Sequence, residues 1–190
     1  MNIFYTTLIV FIPLLENMEG NIFNDLFKMS NYNTVKYYNL CQKYGIGEFA
    51  EMTKYYIPNQ FPIRGGGVLK SDMGMRIHPI KGIYKMHKGI DLVAIANDTI
   101  YSSMNGFIKQ VDFNEGYGLH ISIVNEYGFE SLYAHCSELL VEEGENINKN
   151  TPIAIMGRTG LVTGKHLHYE LRLKGVLLNP LTVFEVKERK

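Results

Sequence analysis

The sequence predicts a mainly β protein, an antiparallel sandwich or barrel-like domain preceded by a short helical N-terminal segment. Three observations carry this. From about residue 61 onward, apolar and polar residues alternate in short runs, the period of a half-buried strand. Turn-forming groups separate the runs: Asn114-Glu115-Gly116, Tyr127-Gly128, Glu143-Gly144 and Lys174-Gly175. No long helical pattern lies between them, as parallel strands would require.

The chain opens on an almost continuous apolar run, Ile3 to Leu15, interrupted by Thr6, Thr7 and Pro13. As a helix it would span about 20 Å, short of the roughly 30 Å hydrocarbon core, so no stable membrane span is expected. Its length suits the apolar region of an export signal. Against that, no Lys or Arg precedes Lys28, and no small-x-small cleavage site follows in Leu15-Glu16-Asn17-Met18-Glu19. A buried strand or helix, or the edge of a longer protein, are the alternative readings.

From Asn31 to Tyr56, the apolar positions Val35, Tyr38, Cys41, Phe49, Met52 and Tyr56 recur mostly at three- or four-residue spacing. Two short helices over about 31–56, broken at Gly45-Ile46-Gly47, fit this pattern. Pro58, Pro62 and Gly65-Gly66-Gly67 then mark a boundary between an accessory segment, 1–60, and the main domain, 61–190. Strands are expected at Thr99–Tyr101, Gly106–Val111, Leu119–Val124, Glu130–Tyr133, Pro152–Ile155, His168–Leu173 and Val176–Leu178.

Composition narrows the function. With 46% hydrophobic and 12% aromatic residues, the 190-residue chain can build a core. Nineteen basic residues balance nineteen acidic ones, which argues against a nucleic-acid binder or a polybasic membrane-surface protein. Two cysteines, Cys41 and Cys136, lie far apart, which excludes a disulfide-rich scaffold and a thiolate zinc finger. Two buried free thiols are expected, with a single Cys41–Cys136 bridge left open.

Chemistry concentrates in three segments. In Gly164-Lys165-His166-Leu167-His168-Tyr169-Glu170, residues two apart on a strand share a face. His166 and His168 therefore project together, their Cα atoms about 6.6–6.8 Å apart. One ring can then bind a metal while the other reaches something bound to it; two ordinary surface histidines are the competing reading. In His87-Lys88-Gly89-Ile90-Asp91, a straight strand would separate His from Asp by about 13 Å, and Gly89 permits the bend that brings both inward. With one histidine of the later strand this makes a His₂Asp set with a fourth, open position, the arrangement of a catalytic zinc site. An exposed turn with a Lys88 salt bridge is the alternative. The third segment is Tyr133-Ala134-His135, at a strand end.

Taken with Gly74-Met75-Arg76-Ile77-His78-Pro79, Gly116-Tyr117-Gly118, Gly157-Arg158-Thr159-Gly160 and Asn179-Pro180, these segments resemble, in order and spacing, the lysostaphin/LytM-type zinc metallopeptidases, which cut peptide bonds in peptidoglycan. The resemblance runs from about Gly74 to Pro180. It implies the duplicated hybrid motif fold and one zinc ion per chain, held by His87, Asp91 and His168. It implies two unliganded catalytic histidines, His135 and His166, one serving the attacking water and leaving amine and the other the oxyanion. Arg76 and Tyr133 are expected substrate contacts, Arg76 alternatively tying down its loop. The expected partner is peptidoglycan, with no nucleic acid, and the chain is expected to be a monomer acting outside the cytoplasm in periplasm, envelope or medium, by export or phage-borne delivery. A non-catalytic wall-binding or amidase-activating module of the same fold is the rival reading.

Departures from the family pattern touch no ligand. Ala94-Ile95-Ala96-Asn97-Asp98-Thr99 replaces a usual Ala-Pro-x-Gly-Thr-Pro, and Asn97 tolerates the left-handed turn that glycine would supply. Lys165 replaces a usual proline and sets a cation beside the histidine pair. Cys136 reads as a packing residue or a modifiable thiol. His78 is left between substrate contact and loop structure, and His120 reads as a surface or satisfied polar residue.

Overall fold

A computed structural model describes residues 56–183 of the chain. The apolar stretch 3–15, Cys41 and residues 31–55 of the expected helices lie outside them. Among the described residues the chain forms β1 (Gly67–Ser71), β2 (Gly74–Ile77), β3 (Tyr84–His87), β4 (Ile90–Ala94), β5 (Thr99–Tyr101), β6 (Gly106–Asn114), β7 (Gly118–Val124), β8 (Phe129–Leu139), β9 (Asn146–Ile147), β10 (Pro152–Met156), β11 (Leu167–Leu173), β12 (Val176–Leu178) and a 3₁₀ turn, Pro180–Thr182. The strand pairs are antiparallel, as the alternating runs and tight turns require. The main sheet runs β1-β4-β11-β8-β7-β6-β9, with β12 on β11 and β10 joining β8 to β5; β2 and β3 form a separate two-stranded hairpin.

Each of the seven expected strands is present, β8 continuing well past Tyr133 to Leu139. The strands β1 to β4 and β9 were not expected. They are short, and β4 carries Asp91 between Ile90 and Leu92, a residue type depleted in strands.

The core lies on one face of β4, β7, β8 and β11. Ile90, Leu92, Ile121, Ile123, Tyr133, Leu167, Tyr169 and Leu171 are fully buried there. Tyr133 and Tyr169 meet edge to face, ring centroids 5.2 Å apart. A buried phenol needs a partner, and both hydroxyls find Ser103 Oγ, at 2.8 and 2.9 Å. This pins the segment after β5 across the inner face of the sheet. Tyr56–Gln60 also pack on this domain: Ile57 is buried, Asn125 Nδ2 donates to the Tyr56 carbonyl (2.8 Å) and the Gln60 N–H to that of Ser103 (3.2 Å).

Strand alternation then sends the intervening residues to the other face. Asp91 on β4 and His168 and Glu170 on β11 stand there, beside Ala134 of β8. Among the described residues no helix is long and apolar enough to cross a membrane.

Candidate metal centre and active site

Asp91 and His168 are direct cross-strand partners between β4 and β11, so their side chains share one face. His87 closes β3 and reaches the same point because the chain breaks at Lys88-Gly89 before β4 begins. A Cβ on Gly89 would lie 2.2 Å from the Tyr169 carbonyl oxygen. Glycine is therefore needed for close approach to β11 as well as for the bend expected from the sequence. The result is convergence: His87 Nε2 lies 3.1 Å from Asp91 Oδ1 and 3.0 Å from His168 Nδ1, and His168 Nδ1 lies 3.0 Å from Asp91 Oδ1. All three residues are buried.

The donor set fits a metal ion. His87 Nδ1 is 2.7 Å from the Asp72 carbonyl and His168 Nε2 is 3.2 Å from Glu170 Oε1. Each ring donates its N–H outward to these acceptors, so the opposing nitrogens carry lone pairs. Two imidazole lone pairs and a carboxylate oxygen then face one another, where each unmet buried group costs roughly 1–3 kcal/mol. A cation at their meeting point satisfies all three. Two imidazoles and one carboxylate match the ligand types of a catalytic zinc site.

Electrostatics agree. Burial opposes ionisation of Asp91, but its contacts with His166, His168 and His87 more than offset it and hold the carboxyl far below the usual range. Burial likewise opposes ionisation of Glu170, and contacts with His168 and Tyr117 reverse that and keep it ionised. Burial lowers His168, yet Asp91 and Glu170 on either side raise it above its ordinary value. A proton and a metal ion therefore compete for the same Nδ1 lone pair. Below the raised His168 pKa the proton wins more often as pH falls. Metal affinity is expected to rise with pH through this range, by about tenfold per unit for each proton displaced, with proton release on binding. Zinc titration calorimetry in buffers of different ionisation enthalpy checks this; pH-independent affinity without proton release would contradict it.

The structure brings both remaining catalytic candidates to the cluster. His166 lies one residue before β11, donates from Nδ1 to the Gly164 carbonyl (2.9 Å) and turns Nε2 to within 3.5 Å of Asp91 Oδ1. His135 reaches the site by another device. Simple alternation from Tyr133 would point it into the core. Instead two residues, Ala134 and His135, stand opposite the single His120 of β7, and His135 takes a left-handed φ of 65°. This bulge turns the ring outward. His135 Nδ1 donates to the Thr159 carbonyl (2.9 Å), and its ring centroid lies 4.8 Å from that of His166. Burial, with the neighbouring His166, lowers the His135 pKa to about 4, so the ring is neutral near pH 7.

The glycine motifs support this arm. Gly118 and Gly160 have φ of 63° and 76°, and a Cβ on Gly118 would sit 2.4 Å from Thr159 Oγ1. Their contact presses the 157–160 loop onto the 116–118 turn and fixes the carbonyl that orients His135.

Other expectations resolve differently. Tyr133, an expected substrate contact, is fully buried on the core face with its hydroxyl on Ser103, and the strand's two-residue period removes it from the cleft. Arg76 donates from Nη2 to Asp91 Oδ2 at 3.0 Å, bracing the carboxylate. Cys136 is a buried free thiol whose pKa burial pushes up to about 12, the state of a packing residue. His120 is buried, with Nδ1 on the Gly118 carbonyl (2.9 Å), a satisfied polar residue. His78 accepts the N–H groups of Ile80 and Lys81, both at 3.3 Å, and also borders the cleft.

Sequence reasoning did not assign roles to the residues that orient the ligands. Glu170 holds His168, and is itself held by Arg172 and by the Tyr117 hydroxyl at 2.5 Å. One signal was available: Glu170 stands two residues from His168, hence on the same strand face. Together these groups floor a cleft of about 800 Å³.

Comparison with known proteins points the same way. The sequence profile of peptidase family M23 matches residues 85–180. The chain is 35% identical over 108 residues to the peptidoglycan DD-endopeptidase ShyC of Vibrio cholerae, covering 57% of this chain and 25% of that protein. It is 38% identical over 115 residues to the DD-carboxypeptidase/endopeptidase Mpg of Neisseria meningitidis, covering 60% and 26%. The matches thus span about a quarter of the length of these relatives. Among solved structures, a zinc-containing peptidase from Vibrio cholerae superposes with a TM-score of 0.59 at 24% identity, over 69% of this chain and 40% of that one, a likeness of fold.

Proposed function

The chain belongs to peptidase family M23, and from that premise we propose that it is a zinc-dependent endopeptidase that hydrolyses peptide bonds in peptidoglycan stem peptides or cross-bridges. One observation carries the reading: three lone-pair donors, His87, Asp91 and His168, converge beside two histidines that are not part of the set. The names of the relatives, peptidoglycan DD-endopeptidase and DD-carboxypeptidase/endopeptidase, support peptide cross-links of the wall as the substrate.

His87 Nε2, His168 Nδ1 and an Asp91 oxygen would hold one zinc ion per chain. When bound, zinc supplies Lewis acidity, drawing the pKa of water toward about 7 and polarising a carbonyl. The chain's own residues supply the rest. His135 and His166 each commit Nδ1–H to a backbone carbonyl, which leaves Nε2 for the cleft. A neutral Nε2 accepts a proton from the attacking water and, once protonated, returns it to the leaving amine nitrogen. The second imidazole, when it also carries a proton on Nε2, donates that N–H to the carbonyl oxygen as charge develops on it. Glu170 and the Asp72 carbonyl keep the ligand rings in the tautomers this requires. Peptidoglycan lies outside the cytoplasm, so the chain works there, as a monomer on this reading; residues 1–60 act as an accessory segment to the peptidase domain.

Digestion of purified peptidoglycan, with mass spectrometry of the fragments, tests the proposal. With zinc, the fragments should show newly freed amino and carboxyl ends at a peptide bond, with intact glycan; a chelator should abolish them. Full activity of the folded chain after complete zinc removal would refute the proposal.

A further inference from the structure

The chain is neutral overall, yet its cleft is not. Lys70, Arg76, Lys81, Lys85, Lys88 and Lys165 line it, against only two acidic residues, Asp91 and Glu170. Both acids are already engaged, Asp91 by the histidine cluster and Arg76, Glu170 by His168, Tyr117 and Arg172. Lys165 pairs with Asp98. Lys70, Lys81, Lys85 and Lys88 make no ion pair among the described residues and are exposed.

These four cations are not spread evenly. The sheet order sets β1, β4 and the segments joined to them on one flank of β11, and β8, β7 and β6 on the other. Lys70 occupies the irregularity in β1 between Leu69 and Ser71, the latter facing Asp91. Lys85 lies on β3, Lys81 in the hairpin loop and Lys88 just after β3. The opposite wall, from Asn114, Tyr117, Leu161, Val162 and Thr163, carries no charge. The hairpin also breaks a pairing rule: Arg76 and Lys85 are direct cross-strand partners, and like charges in that position are destabilising. Asp91 offsets this at Arg76, whose Nη2 donates to Asp91 Oδ2, while Lys85 has no ion-pair partner among the described residues. The positive field is felt by His78, whose pKa is lowered by burial and then by Lys85, Lys81 and Arg76.

We propose that the β1 and hairpin wall of the cleft, built from Lys70, Lys81, Lys85 and Lys88, is a carboxylate-binding subsite that selects acidic stem peptides and lays their acidic side on this flank of the metal cluster. The inference rests on the peptidase reading and names the substrate class of the same site. Lysine suits the task because its flexible stem carries a point charge to carboxylates of varied position. A uniform cationic wall facing a neutral one also orients an asymmetric peptide before chemistry begins.

The test uses the zinc-loaded full chain and two synthetic cross-linked stem-peptide dimers. One has free glutamate and terminal carboxylates; its twin carries carboxamides there. Binding is read by fluorescence anisotropy in a His135→Ala background, so that the peptide is not cut, and the two cleavage rates are compared in the unmodified chain. The acidic dimer should bind at least about tenfold more tightly than its twin, with the advantage fading as salt is raised. Combined Lys81→Gln, Lys85→Gln and Lys88→Gln, all at exposed positions, should bring the ratio of the two affinities close to one. Equal binding of the twins, or a preference that survives the triple substitution, would overturn the subsite. Selective binding without cleavage of either dimer would instead count against the peptidase reading and leave the subsite standing.

Discussion

Replacing His168 by alanine is expected to abolish both metal binding and wall hydrolysis. His168 sits at the centre of the cluster: its Nδ1 lies 3.0 Å from both His87 Nε2 and Asp91 Oδ1, and it is a cross-strand partner of Asp91. Without it only two donors remain, and the carboxylate keeps its burial while losing a partner. Loss of an orienting group alone typically lowers metal affinity by about 10–100-fold, so loss of a ligand should exceed that. Glu170→Gln provides the internal scale. The amide keeps the shape but weakens the grip on His168 Nε2, and should cost about 10–100-fold in zinc affinity. Zinc competition titrations on both variants, with circular dichroism to establish folding, read the difference. A folded His168→Ala protein that binds zinc like the parent would remove His168 from the ligand set.

His166→Ala and His135→Ala are expected to keep the zinc and lose the activity. Neither ring belongs to the converging set, and each is anchored through Nδ1 to a loop carbonyl with Nε2 toward the cleft. Proton transfer by a positioned side chain contributes about 10²–10⁴-fold, and each variant should lose kcat in that range with stoichiometric metal retained. The rings are 4.8 Å apart and serve one reaction centre, so the double variant should fall little below the worse single one. Zinc content by elemental analysis, alongside turnover of a cross-linked peptide, separates this from the His168 result. If His166→Ala lost zinc as completely as His168→Ala while remaining folded, the division of labour between the two histidines would fail.

Much of the site was legible because its spacing is local. The two-residue period puts His168 and Glu170 on one face of β11 and Leu167, Tyr169 and Leu171 on the other, and the burial of each follows. The break at Gly89 between His87 and Asp91 was legible for the same reason. Tyr133 was misread because its neighbour His135 belongs to the site, and a neighbour two residues away should share its face. A bulge cancels that rule, and a bulge depends on how many residues the adjacent strand presents, a number no single segment contains. The strands β1 to β4 escaped notice because they are short, and β4, on which β1 pairs, is itself held by β11 far along the chain.

The sequence by itself determined the antiparallel β character, the residue types that hold a metal, and which of them share a strand face, since all three follow from period, turn chemistry and side-chain identity. Only the tertiary structure decided that His87 and Asp91 meet His168 at one point, that Glu170 and the Asp72 carbonyl set the ring tautomers, that Arg76 braces Asp91, and that four lysines from β1 and the hairpin share one wall. These are matters of register between strands up to 81 residues apart. Register is set by the packing of the whole sheet, and a one-residue slip between β4 and β11 would have put Asp91 and His168 on opposite faces.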